Sequence, residues 1–150
     1  MDQYYEDLAV GDVIDYGSYT TDKMEMIEFA RRWDPRPFHV DEAYAAGTLY
    51  GEITASGVHT LAIFTNLCNK ATGHWAVRGA LGYEHLNFPA AVRAGDVVSG
   101  KSTVMAKRTS KSRPELGIIT TRETMTNQRG ETVLDFTVSF LVERRDGGPD

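Results

Sequence analysis

The sequence predicts an α+β fold in a single domain, an antiparallel sheet laid around one long buried helix. Three observations carry this. Residues 57–72 set Val58, Leu61, Ala62, Ile63, Phe64, Leu67, Cys68 and Ala71 around a helix of about 24 Å, with an apolar face too wide for a surface helix. The second half of the chain holds four stretches of strand character, 80–88, 97–109, 116–126 and 132–143, separated by turn signals. The length, 150 residues with 41% apolar and 25% charged, suits one globular domain with a real core.

Taken in order, residues 5–12 close on Gly11-Asp12, a turn signal, and 13–20 alternates loosely as a strand. Thr21 or Asp22 caps the next helix, and with Asp22 as the cap Glu25 stands where a capping box needs it. Met26, Ile27, Ala30 and Trp33 recur at helical spacing. That helix ends by Asp34, because Pro35 follows. Through 33–39 the prolines fix their own φ and extend the residues before them, so no helix is expected there. Residues 41–46 allow a short helical turn, broken at Gly47. Ser56 is a favourable N-cap for the long helix and Gly73 a natural stop. The strand over 80–88 ends at Pro89, and 88–96 is an extended connection finishing in a Gly95-Asp96 turn. Asn127-Gln128-Arg129-Gly130 is a hairpin turn, and Val133, Phe136, Val138, Phe140 and Val142 mark the apolar side of the last strand. Successive hairpins make the sheet antiparallel. The domain is expected over 1–146, with 147–150 a flexible tail.

The net charge of −5 and pI of about 5.3 argue against bulk attraction to nucleic acid or an anionic membrane. Cys68 is the only cysteine, which rules out an intramolecular disulfide and the usual cysteine-based zinc frameworks and suits a reducing cytosol. No basic-then-apolar leader opens the chain and no apolar run is long enough for a bilayer, so a cytoplasmic protein is expected.

The chemistry gathers in Trp33-Asp34-Pro35-Arg36-Pro37-Phe38-His39. A turn this rigid holds a carboxylate and an imidazole five residues apart, which points to an acid/base pair acting on a small organic substrate. Histidine suits the task because its ordinary pKa lies near neutrality. Plainer roles exist for each residue: Asp34 as a turn cap, His39 as a structural histidine, Gly57 as a tight start to the long helix. His59 reads as a core histidine, His74 and His85 as structural or exposed, and Cys68 as a small core residue. Lys101, Lys107, Arg108, Lys111 and Arg113 fall in a stretch without acids, either a solvated sheet edge or an anion site that Arg93 joins.

Asp34-Pro35-Arg36-Pro37-Phe38-His39, Ile53-Thr54-Ala55-Ser56-Gly57, and Phe88-Pro89 through Val92, Gly95 and Asp96 together resemble the MaoC-like dehydratase and (R)-specific enoyl-CoA hydratase family. The first phrase is similar to that family's D-x-N-P-x-H motif, with Arg36 in place of the usual asparagine. The resemblance implies a hot-dog fold, an antiparallel sheet wrapped around the long central helix. It implies a hydratase/dehydratase that adds water reversibly to the double bond of a 2-enoyl thioester, expected to be enoyl-CoA. Asp34 and His39 would activate the water, and the Gly57 N–H would stabilise the thioester oxygen. Arg36, Phe38, Ser56 and Thr65 are the implied substrate-binding positions, Thr65 standing where the hydratases often carry a serine. No metal and no cofactor is expected, coenzyme A entering only as part of the substrate. The implied partners are an acyl-CoA or acyl-carrier thioester and a second copy of the chain, as a homodimer or higher homo-oligomer. Two rivals share the fold: an acyl-CoA thioesterase, and a non-catalytic acyl-thioester-binding or partner subunit. Arg36 leaves the substrate class open.

Overall fold

The computed structural model describes residues 1–145. The tail expected at 147–150 lies outside them. After a 3₁₀ turn at Tyr5–Asp7 come strand β1 (Val13–Thr20) and helix α1 (Lys23–Trp33). Two short helices follow, α2 (Pro37–Val40) and α3 (Glu42–Ala46), and then the long helix α4 (Gly57–Thr72). Strands β2 (Val77–Asn87), β3 (Val97–Thr109), β4 (Leu116–Thr126) and β5 (Thr132–Glu143) complete the chain. The five strands form one sheet in the order β1-β3-β4-β5-β2, every pairing antiparallel. β1 and β2 are its edges, and the sheet lies around α4 as the hot-dog arrangement requires.

The caps behave as their side chains dictate. Asp22 accepts the Glu25 N–H at 2.9 Å. The Glu25 carboxylate turns to the Tyr19 hydroxyl, so only one half of the expected capping box forms. Ser56 caps α4 by accepting the Val58 N–H at 3.2 Å. Gly73 ends α4 in right-handed geometry, and its lack of a side chain matters because a Cβ there would sit 2.6 Å from the Asn69 carbonyl oxygen.

Two expectations need correction. Helix is not excluded through 33–39. Arg36 stays extended at φ −69°, ψ 140°, as a residue before proline must, but Pro37 then starts the one-turn helix α2. Proline suits a first helical position, where its missing N–H has no intrahelical partner to lose. The strand expected at 80–88 begins at Val77 instead. The strand runs through Gly79 and Gly82 with irregular register against β5 and ends at Asn87.

The core lies between α4 and the inner face of the sheet. Ile63, Phe64, Leu67 and Cys68 pack against Tyr16, Met125, Leu134, Phe136 and Val138. Phe64 meets Phe136 edge-on at 5.0 Å and Tyr16 at 5.5 Å. Each such ring or aliphatic chain contributes about 1.5–3 kcal/mol by burial. Val58, Ala62, Thr65 and Asn66 leave the opposite side of α4 open, so the helix is cradled rather than enclosed. One carboxylate, Glu123, sits fully buried on the inner face of β4, accepting from the hydroxyls of Ser102 and Thr121. Among the described residues no helix is long and apolar enough to cross a membrane.

Candidate active site

α1 delivers Asp34 and α2 delivers His39. The Asp34 N–H closes the last turn of α1 on Ala30 O at 2.9 Å, and Pro35 stops the helix there. The Arg36 N–H returns to Asp34 O at 2.8 Å and the His39 N–H to Arg36 O at 2.9 Å. This tight chain of backbone bonds brings the two side chains together, with His39 Nε2 3.6 Å from Asp34 Oδ2. The imidazole is buried and the carboxylate only partly so.

Both groups are held from a second direction. His39 Nδ1 lies 2.7 Å from the Thr54 carbonyl oxygen, which obliges Nδ1 to carry the proton. In the neutral ring Nε2 is then a bare acceptor turned towards Asp34. The Ser56 hydroxyl donates to Asp34 Oδ2 at 2.9 Å while accepting from Val58 N–H, so one fully buried oxygen ties the carboxylate to the start of α4. The second carboxylate oxygen, Oδ1, pairs with Arg36 Nε at 3.2 Å on the exposed side.

Gly57 is the first residue of α4, so its N–H stands outside the intrahelical ladder, at the positive end of the helix dipole. A cavity of about 190 Å³ brings Gly57 and His39 into one space, together with Phe38, Tyr50, Thr60 and Phe88. Phe38 also contacts the His39 ring, centroid to centroid 4.4 Å. The loop before α4 is fixed to the 88–96 connection by Ala55 N–H to Val92 O at 2.9 Å and by Arg93, which donates to Tyr50 O at 2.9 Å and pairs with Glu52. That loop carries the Thr54 carbonyl.

Thus Asp34, Arg36, His39 and Ser56 meet in one cluster, and His39, Phe38 and Gly57 line one cavity. Thr65 does not join them. It lies eight residues beyond Gly57, about 12 Å along the helix, and its exposed hydroxyl bonds back to Leu61 O at 2.9 Å. Lys107 is turned away from any anion site, its ammonium bonded to Tyr5 O at 2.8 Å and Leu8 O at 2.7 Å. His59 stacks on Phe29 at 4.4 Å inside the fold, where burial pushes its pKa down. Burial likewise raises the Cys68 thiol, which favours the uncharged form.

A model of the MaoC-like domain matches residues 7–127. The structure is similar to the MaoC-like dehydratase of Rhodospirillum rubrum, 38% identical, covering 95% of this chain and 98% of that one with a TM-score of 0.87. It is also similar to the (R)-hydratase of A. caviae involved in PHA biosynthesis, 25% identical, covering 90% and 97% with a TM-score of 0.72. In sequence the chain is 29% identical over 147 residues to the uncharacterised protein YdeM of Bacillus subtilis strain 168, covering 93% of this chain and 98% of that protein. With a match that runs from before the first strand through the fourth, and so across the whole Asp34–His39–Gly57 region, the chain belongs to the MaoC-like domain family.

Proposed function

We propose that this protein is a hydratase/dehydratase that adds water reversibly across the double bond of an enoyl thioester, enoyl-CoA in the first instance. One observation carries the reading: two acceptors, Asp34 Oδ2 and His39 Nε2, face each other at 3.6 Å beside the N-terminus of α4. That separation is too long for a direct hydrogen bond and suits a water that donates one hydrogen to each. The family and its (R)-hydratase neighbour support the same chemistry.

In the forward direction the water oxygen bonds to the β-carbon as its proton passes to the Asp34/His39 pair. The double-bond electrons move to the α-carbon and onto the thioester oxygen, which accepts the Gly57 N–H. The α-carbon then takes a proton from the pair, giving the β-hydroxyacyl thioester. Ser56 and Arg36 keep the carboxylate aimed, and the Thr54 carbonyl keeps the imidazole aimed. Coenzyme A serves only as the carrier of the substrate.

The test is incubation of the purified protein with crotonyl-CoA and longer enoyl-CoAs, following both the conjugated double bond and free thiol. Loss of the double bond without thiol release is expected. Thiol release instead points to a thioesterase, and ligand binding with neither signal points to a sensor or partner subunit.

Ser56→Ala removes the hydroxyl that holds Asp34 and caps α4. It is expected to lower kcat about a hundredfold with little change in KM, because a small misplacement of a reacting group is costly. It also lowers stability by about 0.5–2 kcal/mol through the lost cap. Steady-state kinetics and thermal melts on the same preparations read both effects.

The same proposal includes a homo-oligomer in the cytoplasm. Edge strand β2 carries the exposed Leu81, Tyr83 and Leu86, followed by Phe88, beside a row of backbone groups with no strand partner among the described residues. An apolar edge of this kind is suited to pairing with the same edge of a second copy. Native mass spectrometry is expected to show a dimer or a multiple of one.

A further inference from the structure

Gly57 has no side chain, and the space where one would begin belongs to an aromatic ring. A Cβ on Gly57 would stand 3.0 Å from both Cε2 and Cζ of Phe88. Phe88 follows the end of β2 and is 46% exposed, so the hydrophobic core does not require a large ring there. The ring nevertheless lines the cavity that holds Gly57 and His39. Pro89 fixes the backbone just behind it, and the Ala55–Val92 bond anchors the connection further on.

We propose that Phe88 is a specificity-determining residue whose ring closes the cavity against a substituent on the α-carbon of the acyl group. The inference rests on the reading that Gly57 N–H receives the thioester oxygen. An N–H···O bond of about 2.9 Å, followed by the carbonyl and one further carbon–carbon bond, leaves the α-carbon within about 6 Å of the Gly57 nitrogen. The β-carbon has to lie towards the Asp34/His39 pair, where the water is held. Of the carbons beyond the carbonyl, the α-carbon is therefore the one constrained to lie closest to Gly57, and Phe88 is the ring that fills the space where a Gly57 side chain would begin. A hydrogen on the α-carbon passes the ring, whereas a methyl group needs room that a close-packed wall supplies only by moving. The far end of the acyl chain does not meet this wall.

The experiment compares kcat/KM for crotonyl-CoA, its α-methyl analogue and hexenoyl-CoA in the wild type, Phe88→Leu and Phe88→Ala. The lower intrinsic reactivity of the α-methyl substrate cancels when the ratio to crotonyl-CoA is compared between proteins. That ratio is expected to rise about tenfold or more in Phe88→Ala, the scale on which a pocket senses one methyl group. Phe88→Leu falls between, and the hexenoyl-to-crotonyl ratio stays within about twofold, since the chain end is read elsewhere. Melting curves and native mass spectra confirm that the three proteins share one folded assembly. An unchanged α-methyl ratio, or an equal shift for hexenoyl-CoA, overturns the assignment while leaving the hydratase reading intact. A wild type that hydrates neither crotonyl-CoA nor longer enoyl-CoAs removes the hydratase reading, and this inference with it.

Discussion

Asp34→Asn is expected to lower the hydration rate by roughly a hundred- to ten-thousandfold, the range that positioned acid/base groups supply. The substitution is nearly isosteric, so its effect is chemical. An asparagine oxygen can still accept the Ser56 hydroxyl now bonded to Asp34 Oδ2 at 2.9 Å. Oδ2 also faces His39 Nε2, so with that bond kept the amide nitrogen takes the Oδ1 place beside Arg36 Nε, donor against donor, and the neutral amide cannot take a proton from water. With the amide turned the other way its nitrogen faces His39 Nε2 as a donor, and both the water and the Ser56 hydroxyl lose their acceptor. His39→Ala is expected to be at least as damaging to the rate. It costs stability as well, since it empties a buried site and strips the Thr54 carbonyl of its donor. Asparagine is accordingly the cleaner variant. Single-turnover hydration of crotonyl-CoA, with a melting curve for each protein, separates lost chemistry from lost fold. A rate within a few-fold of wild type in Asp34→Asn contradicts the assignment.

The second large effect lies in the core. Burial pushes the Glu123 pKa up, against hydrogen bonds from Thr121, Ser102 and Tyr16 that pull it down, and Oε2 has no hydrogen-bond partner among the described residues. The folded chain therefore holds a proton here at pH values where the unfolded chain has released its own. Stability is fully present below the ordinary glutamate range, about 4.3, and declines as pH rises from there to the folded-state pKa. Glu123→Gln imitates the protonated form and removes this dependence. The variant is expected to match the wild type near pH 4 and to melt progressively higher than it as pH rises. The gap corresponds to about 2–4 °C for each kcal/mol in a chain of this size. Melting curves over a pH series check this. A constant gap at every pH shows that Glu123 does not titrate on unfolding.

Much of the fold was legible because its elements obey local rules. The stretches 13–20, 57–72, 97–109, 116–126 and 132–143 coincide with β1, α4, β3, β4 and β5, since caps, periodicity and hairpin turns all act within a few residues. What local pattern hid was context. Pro37 looked like a breaker until Arg36 supplied an extended N-cap ahead of it. The strand expected from Ala80 starts three residues earlier, at Val77, because β5 offers a partner along that stretch.

The site divides in the same way. Asp34 and His39 stand close in sequence, so their pairing could be suspected from spacing alone. Ser56 reaches Asp34 across 22 positions, and His39 is oriented by a backbone carbonyl that any residue at Thr54 would carry. Neither has a signature in residue type. Phe88 fills the space of a Gly57 side chain although 31 positions separate the two residues. Arg36 was visible as an unusual residue, but its pairing with Asp34 Oδ1 depends on how the turn folds.

The most direct test of the central claim is to run the reaction on crotonyl-CoA in oxygen-18 water and locate the label by mass spectrometry. Addition of water by the Asp34/His39 pair predicts one heavy oxygen on the β-carbon of an intact thioester. Label in a free carboxylate, with release of the thiol, would show that water attacks the carbonyl carbon instead and would contradict the hydratase account.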